Sequence, residues 1–169
     1  MEIESFNALD AGSARAALEA CCVSQRWISG VLESRPFASP EALSTRADEV
    51  WAAMEEADIL EAFEGHPKIG DVNSLKAKYA HTGGLAAHEQ SSVADASEGI
   101  IERLAAGNSA YEAKFGFIFI VCATGKSAQE MCELLEVRLD NERPQELLIA
   151  KEEQRKIMQL RLGNSLERE

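Results

Sequence analysis

The first residue whose side chain could take part in catalysis is His66, which lies between Gly65 and Pro67. Proline fixes the direction in which the chain leaves and holds the preceding residue in extended geometry, so the imidazole is presented from a rigid turn. Because the pKa of histidine lies near neutrality, such a side chain can donate or accept a proton at working pH. The alternative is an ordinary turn histidine without a function.

A polar pair, Glu89 and Gln90, lies near the predicted start of a helix and is followed by Ser91 and Ser92. A carboxylate and an amide in one helical turn can accept and donate hydrogen bonds to the amide and urea groups of a small heterocycle. The alternative is that Glu89 only interacts favourably with the positive end of the helix dipole.

The last predicted helix places an arginine on its inward stripe. Leu147, Ala150, Gln154, Ile157 and Arg161 follow helical spacing, so Gln154 and Arg161 share a face with apolar residues. An inward arginine needs an anionic partner, which is either a protein carboxylate or the carboxylate of a ligand. Arg138 ends the stripe of its own helix in the same way and leaves the same two interpretations open.

Helices are the elements that must position these groups, since start and stop signals for helices recur along the whole chain. Proline at position 36 ends the second predicted helix, Ser39-Pro40 opens the third and Ser127 with Glu130 forms a capping box. The predicted helices are Ala14 to Cys22, Gln25 to about Arg35, Pro40 through Trp51 and Met54, Asp58 to Gly65 with Asp58 and Glu61 as a capping box, Leu85 or Ala86 to Gly107-Asn108, Asn108 to Lys114, Ser127 to Arg138, and Pro144 to Leu162.

One run, Phe115 to Cys122, is rich in the aromatic and β-branched residues that strands favour. A lone strand has no partner for its backbone groups. The sequence therefore predicts an all-α fold, a single compact multi-helix domain, with one buried extended segment near 115–122 or the start of a buried helix there. Free backbone amides of that segment would be available to bind a polar group.

Composition limits the possible partners. The 169 residues, 46% of them apolar, suit one domain over 1–169, and no run approaches the ~20 apolar residues of a membrane span. The start of the chain, from Met1 to Asp10, lacks the features of a secretory signal, so we expect a soluble cytoplasmic protein. A net charge of −12 argues against nucleic acid and anionic membranes as partners.

Neither the cysteines nor the histidines have metal-site spacing. The four cysteines contain no Cys-x-x-Cys pair, which predicts reduced thiols with a packing role; they are Cys21, Cys22, Cys122 and Cys132. The spacings of His66, His81 and His88 match no familiar zinc pattern, so no metal is expected.

The order of these signals resembles the OHCU decarboxylases, where OHCU is 2-oxo-4-hydroxy-4-carboxy-5-ureidoimidazoline. The resemblance spreads over most of the chain, and the phenylalanine-glycine-phenylalanine block within the ordered set is its most specific part. The matching pieces are His66-Pro67-x-Ile69-Gly70, Glu89-Gln90, Tyr111-x-x-Lys114-Phe115-Gly116-Phe117-x-Phe119, Arg138-Leu139-x-Asn141, Glu146, Ile157 and Leu160-Arg161-Leu162.

This resemblance implies an all-helical fold, usually a homodimer, that converts OHCU to (S)-allantoin in urate degradation without a cofactor. It implies that His66 is the proton donor and that Glu89 and Arg161 complete the catalytic set. The residues implied to bind the substrate are Pro67, Ala86, Ala87, His88, Gln90, Phe119, Ile120, Val121, Cys122 and Ala123. The family commonly has serine where Ala86 stands, which puts a hydroxyl contact at that position in doubt.

The chemistry suits these residues, because carbon dioxide lost from a carbon next to a C=N bond leaves electrons that the imine absorbs. The protein must orient the departing carboxylate and protonate one face of the new centre. We expect Glu89 and Gln90 to orient the ring or ureido group, and Arg161 to neutralise the substrate carboxylate or to hold the glutamate. Two rivals stay open: a helical binding module without chemistry, and an enzyme acting on another ureido or hydantoin compound.

Overall fold

A computed structural model describes residues 1–66 and 90–166, with backbone alone for 90–98. The described ranges contain helices and no strand, which confirms the predicted all-α class. The helices are α1 Ile3–Ala8, α2 Ala11–Glu19, α3 Gln25–Leu32, α4 Pro40–Ala52, α5 Glu56–Glu64, α6 Gln90–Phe115, α7 Ala128–Leu139 and α8 Arg143–Leu166.

The chain divides into two compact units, which are described separately. The first unit comprises 1–66 and the chain from Lys151 onward, and the second runs from 67 to Ala150. Helix α8 therefore contributes its first residues to the second unit and its remainder to the first. The prediction of a single domain over 1–169 stays a prediction. No helix in the described part of the chain has the length and apolar character needed to cross a membrane.

Two helix starts lie where the sequence predicts them. The hydroxyl of Ser39 accepts a hydrogen bond from the Ala42 backbone N–H at 3.1 Å, with Pro40 as the first helical residue of α4. The hydroxyl of Ser127 accepts from the Glu130 N–H at the same distance and opens α7. Each serine satisfies a backbone donor that has no partner within its helix, which is why these caps can be identified from sequence.

The predicted start of α5 was wrong by one turn. Glu55, not Asp58, caps this helix: its side chain accepts from the N–H of Asp58, whose own carboxylate accepts from the Glu55 N–H at 3.1 Å. Asp58 is thus the third helical residue of a reciprocal capping box, because a carboxylate can serve either position. The predicted end of the last helix was also too early, since α8 continues through Gly163 to Leu166.

The predicted break at Gly107-Asn108 was wrong, because α6 is continuous through both residues. The amide of Asn108 donates to the Leu104 carbonyl at 2.8 Å, one turn earlier, and so supports the helix rather than capping a new one. A Cβ atom built on Gly107 would lie 2.6 Å from Cδ2 of Leu135 in α7. The glycine at this position therefore allows close approach of α7, a tertiary reason that a local stop signal does not reveal.

We predict that Gly107→Ala destabilises the protein by about 1–3 kcal/mol, because the fully buried Leu135 has no room to move away from the added methyl group. Gly99→Ala in the same helix is the matched control, since nothing lies within 4 Å of a Cβ there. The control should stabilise the helix by about 0.5–1 kcal/mol. Urea unfolding of both variants measures the difference, and equal effects would contradict the packing explanation.

The core of the first unit is built around two buried tryptophans, Trp27 in α3 and Trp51 in α4. The indole N–H of Trp27 donates to the Ala47 carbonyl, and that of Trp51 donates to the Lys151 carbonyl, both at 3.1 Å. Each bond satisfies the polar atom of a side chain that otherwise buries apolar surface. These contacts tie α3 to α4, and α4 to the part of α8 that carries Gln154 and Arg161.

The second unit packs α6 against α7, with an irregular segment from Gly116 to Ser127 between them. Gly116 ends α6 with a φ of 81°, a conformation that favours glycine. Three side chains of the segment are buried as predicted; they are Phe117, Phe119 and Ile120. The described segment is neither helix nor strand, and its predicted extended geometry is not confirmed.

Candidate functional site

His66 is held by the end of α5 in the first unit. It follows the C-cap Gly65, and its backbone N–H donates to the Phe63 carbonyl in the last turn of that helix at 3.1 Å. Gly65 lies directly before it, and a Cβ built on Gly65 would come within 2.7 Å of Cγ2 of Val23. The absence of a side chain at position 65 therefore lets α5 pack closely on the connection before α3, which fixes where His66 emerges.

The imidazole of His66 is half-buried, and its Nε2 lies 2.5 Å from Oε1 of Gln154 in α8. An amide oxygen only accepts hydrogen bonds. In this orientation of the amide, Nε2–H is the donor, which leaves Nδ1 for another partner. The two residues are 88 positions apart in sequence, and only the tertiary fold of the first unit brings them together.

Arg161, one of the predicted catalytic residues, lies close enough to His66 to affect the pKa of the imidazole. His66, Gln154 and Arg161 are called the first-unit cluster below. The positive charge of Arg161 adds to the effect of burial in lowering the pKa of His66, and it opposes the larger effect of burial on the pKa values of Cys21 and Cys22. No carboxylate of the described residues forms an ion pair with this half-buried guanidinium. Glu89, the glutamate that is one of the two expected partners of Arg161, lies outside the described residues, so the choice between a protein carboxylate and the carboxylate of a ligand stays a prediction.

Burial lowers the pKa of His66 below its ordinary value of 6.5, the hydrogen bond to Gln154 opposes this, and the charge of Arg161 adds to the lowering. The unfolded chain therefore binds a proton at a pH where folded His66 is still neutral. The free energy of unfolding should fall as the pH drops below 6.5 and this contribution should level off below the folded pKa.

Urea unfolding at about pH 7.5 and about pH 5.5 tests this linkage, because the two values lie on either side of the ordinary histidine pKa. We expect His66→Asn to lose less stability than the unchanged protein between the two pH values, since the variant has no imidazole to titrate. Equal losses in both proteins would show that His66 has the same pKa in the folded and unfolded states.

Two cysteines near Arg161 are poor candidates for nucleophiles. Burial raises the pKa values of the Cys21 and Cys22 thiols to about 11, in spite of the arginine charge. They therefore stay protonated at neutral pH, and a protonated thiol reacts weakly. None of the four cysteines forms a disulfide bond. Within 1–66 and 90–166, no three side chains of the metal-ligating types gather in one place.

The inward stripe of α8 differs from the predicted one. The buried positions are Glu146, Ala150, Gln154, Met158 and Leu162, spaced four residues apart, whereas Leu147, Ile157 and Arg161 are only half-buried. The prediction was right for Ala150 and Gln154 and off by one position at the other three. Apolar residues alone do not decide between adjacent stripes, because both are compatible with helical spacing.

Arg138 belongs to a second cluster, which lies in the other unit. Its Nε donates to both carboxylate oxygens of Glu146, at 2.8 and 2.9 Å, and both side chains are buried. The Tyr111 hydroxyl donates to Glu146 at 2.8 Å. Burial raises the pKa of Tyr111 above its ordinary range, so the hydroxyl keeps its proton. Of the two partners that the sequence left open for Arg138, a protein carboxylate or the carboxylate of a ligand, the structure shows the protein carboxylate.

The same arginine holds part of the segment predicted to line the substrate pocket. Nη1 of Arg138 donates to the Ile120 carbonyl at 2.8 Å, and its guanidinium lies 4.6 Å from the ring centroid of Phe119. The ring of Phe119 also contacts that of Tyr111 edge-on, with centroids 5.3 Å apart. The side chains of Phe119 and Ile120 are buried, those of Val121 and Cys122 are half-buried, and Ala123 is exposed.

Several predicted site residues lie outside the described residues; they are Pro67, Ala86, Ala87, His88 and Glu89. Gln90 is the first residue of α6, where the backbone alone is described. Sequence reasoning placed Gln154 on the inward stripe but gave it no role. The signal for such a role was a polar side chain on an otherwise apolar stripe. The spacing of residues in the sequence does not identify His66 as the partner of Gln154.

The described fold and the first-unit cluster indicate the class of protein before any comparison. An all-helical chain that places an imidazole beside an arginine without a carboxylate partner in the described ranges has the parts for proton transfer at a small anion. Residues 7–163 match the sequence profile of the OHCU decarboxylases. The chain belongs to the OHCU decarboxylase family, a family of carboxy-lyases.

Individual relatives agree with this assignment. A uric acid degradation bifunctional protein of Arabidopsis thaliana is 36% identical over 143 residues, which are 85% of this chain and 44% of that protein. A crystal structure of OHCU decarboxylase obtained in the presence of (S)-allantoin is 32% identical, with a TM-score of 0.71, covering 88% of this chain and 96% of that one. A crystal structure of (S)-allantoin synthase shares the fold at 17% identity, with a TM-score of 0.71, covering 98% of this chain and 54% of that one.

The chain spans less than half of the length of the curated relatives it matches. It covers 44% of the Arabidopsis thaliana protein and 32% of a uric acid degradation bifunctional protein from Bacillus sp. (strain TB-90). What those whole proteins do therefore extends to this chain only as a proposal.

Proposed function

We propose that this chain decarboxylates OHCU to (S)-allantoin, in the degradation of urate, without a metal or organic cofactor. The proposal is supported by membership of the OHCU decarboxylase family and by the solved relative obtained with (S)-allantoin, the product expected here. The single observation within the chain that carries it is the cluster of His66 and Arg161, in which an imidazole lies near a cation without a carboxylate partner in the described part of the chain.

The reaction needs one bond broken and one proton placed. The carbon–carbon bond to the carboxylate breaks, carbon dioxide leaves, and the electron pair is absorbed by the adjacent imine of the ring. A proton is then added to the carbon that bears the ureido group, while the ring hydroxyl becomes a carbonyl and its proton passes to the former imine nitrogen, which completes (S)-allantoin. Because the substrate is its own electron sink, the protein has to supply orientation, charge complementarity and a proton donor on one face only.

His66 is the proton donor in this proposal. Burial and the charge of Arg161 lower its pKa, so the protonated imidazole is a stronger acid than an ordinary histidine and transfers its proton more readily. The cost is that a smaller fraction of the free protein carries that proton at neutral pH. A bound substrate carboxylate offsets this cost, since a nearby negative charge favours the imidazolium.

The remaining predicted residues have binding roles in this proposal. Glu89 and Gln90 orient the ring or the ureido group through hydrogen bonds, and the backbone near Ala86 contributes even though a serine hydroxyl is missing there. The segment from Phe119 to Ala123 lines the substrate pocket, mainly through backbone groups, since the side chains of Phe119 and Ile120 are used in packing.

Production of OHCU in the presence of this chain tests the function. Urate oxidase and hydroxyisourate hydrolase generate OHCU from urate, its loss is followed by ultraviolet absorbance, and the product is examined by circular dichroism. We expect faster loss and optically active (S)-allantoin, unchanged by a chelator. Slow decay to a racemic product at the rate without protein would refute the proposal and favour a binding module or another ureido substrate.

Arg161 binds the departing carboxylate in this proposal. We expect Arg161→Gln to lower kcat/KM by about 10²-fold, since a hydrogen bond to a charged group contributes about 1.5–3 kcal/mol. Most of the loss should appear in KM if the guanidinium holds the carboxylate equally before and during its departure. Arg155→Gln is the control, because this arginine lies on the same helix as Arg161 and already pairs with Glu152 in α8 and with Asp48 in α4. Equal kinetics for Arg161→Gln and the unchanged protein would contradict the role.

We also propose a cytoplasmic homodimer. The composition of the chain supports the location, and the family resemblance supports the dimer. Light scattering of the purified chain should give twice the chain mass, and a single chain mass at all concentrations used would contradict the dimer. Cell fractionation that placed the protein with membranes would contradict the location.

A further inference from the structure

Gln154 is the most deeply buried polar side chain of the first-unit cluster. It is 1% exposed and lies on the inward stripe of α8 between Ala150 and Met158. Its Oε1 is bonded to His66, whereas its Nε2 is buried and has no partner in the described part of the chain. A buried amide with one end unpaired costs stability. Packing alone therefore does not explain a glutamine at this position, where an apolar residue would fill the same stripe.

We infer that Gln154 is a positioning residue for the reaction, which holds Nε2–H of His66 so that Nδ1 is the atom that transfers the proton. The inference rests on the proposed function of His66 as proton donor. Its structural basis is the 2.5 Å contact, within one unit, between Nε2 of His66 just after α5 and Oε1 of Gln154 in α8.

The contact can persist through the whole reaction. Nε2 carries a hydrogen in the imidazolium and in the neutral form that has lost its Nδ1 proton, so the amide oxygen keeps its donor in both states. The ring therefore does not have to turn when the proton leaves. Holding a donor in one orientation before and after transfer is what allows delivery to a single face of the substrate.

The neutral amide also differs from a carboxylate in its effect on the proton. A carboxylate in place of Gln154 would hold the same Nε2–H but would strongly favour the imidazolium. Arg161, on the same helix, is the charged group that acts on His66 within the described residues, and it lowers the pKa of the imidazole. An orienting group without charge thus keeps His66 ready to release its proton.

Two variants separate positioning from packing. Gln154→Leu keeps the volume and removes the acceptor, so we expect kcat to fall about 10–100-fold with KM changed less than about threefold, and the enantiomeric excess of the allantoin to decrease. Gln154→Glu keeps the acceptor and adds a charge, so the limb of the kcat/KM profile that reports His66 should move about 1–3 pH units upward.

Gln145→Glu is the matched control, because it adds the same charge at an exposed position of the same helix. The Gln145→Glu variant should have the same dependence of kcat/KM on pH as the unchanged protein. A glutamine with a purely structural role predicts a lower melting temperature for Gln154→Leu and Gln154→Glu, with kcat and the pH profile of the folded fraction unchanged. That result would overturn the inference.

A measurement on the unchanged protein covers the case in which neither variant folds. Nitrogen-15 NMR of labelled histidine should show neutral His66 protonated at Nε2 rather than Nδ1. Protonation at Nδ1 would overturn the inference. This measurement needs no turnover, so it also separates failure of the inference from failure of the proposed function, which would appear as an inactive protein with the expected tautomer.

Discussion

Replacing His66 with asparagine should lower the enzymatic rate of OHCU loss by about 10²–10⁴-fold, the range over which a positioned acid or base contributes to catalysis. Asparagine is polar and close in size, so it can occupy the site at the end of α5 without creating a large cavity. It has no proton to transfer at neutral pH. The measurement is OHCU absorbance after subtraction of the uncatalysed decay, with circular dichroism of the allantoin.

The control for this variant is Glu64→Gln, an exposed substitution at the last residue of α5. It should retain the rate and the optical activity of the product. Circular dichroism in the far ultraviolet should be the same for both variants, since neither substitution removes a backbone hydrogen bond of a helix. A folded His66→Asn protein that formed (S)-allantoin at nearly the unchanged rate would exclude His66 as the proton donor.

Replacing Glu146 with alanine should cost about 3–5 kcal/mol of stability, because it leaves the Arg138 charge buried without its partner. Glu146 is fully buried and Arg138 is 6% exposed, and Tyr111 would lose its acceptor in the same change. The free energy of unfolding in urea is the quantity to measure. Loss of the Arg138 partner also removes support from the Ile120 carbonyl, so the segment from Phe119 to Ala123 should become more accessible to protease.

Glu152→Ala is the control for this second prediction. Glu152 pairs with Arg155 one turn away on the exposed side of the same helix, and removing an exposed pair costs at most about 1 kcal/mol. The double variant Arg138→Met with Glu146→Leu should be more stable than Glu146→Ala alone, because it leaves no unpaired charge. A cost below about 1 kcal/mol for Glu146→Ala would show that water reaches Arg138.

Local signals predicted the helical scaffold well. Ser39-Pro40 and Ser127 with Glu130 begin helices where they were expected to, since a cap acts on backbone donors within three residues of itself. The same locality explains the error at Gly107-Asn108. A glycine that ends a helix and a glycine that admits a neighbouring helix look alike in sequence, and only the position of Leu135 in α7 distinguishes them.

For the candidate site, too, some features follow from the sequence and others follow only from the tertiary structure. The sequence by itself determined which residue types could take part in catalysis, because the reactivity of an imidazole or a guanidinium is a property of the side chain. It also placed His66 after a short helix and Arg161 on a long one. Only the tertiary structure decided the partners of Arg138 and His66. Arg138 pairs with Glu146 and Arg161 has no carboxylate partner in the described ranges, although both are arginines on amphipathic helices. His66 and Gln154 form a hydrogen bond although 88 positions separate them in sequence. Hydrogen bonds and ion pairs depend on distances of a few ångströms in space, and not on separation along the chain.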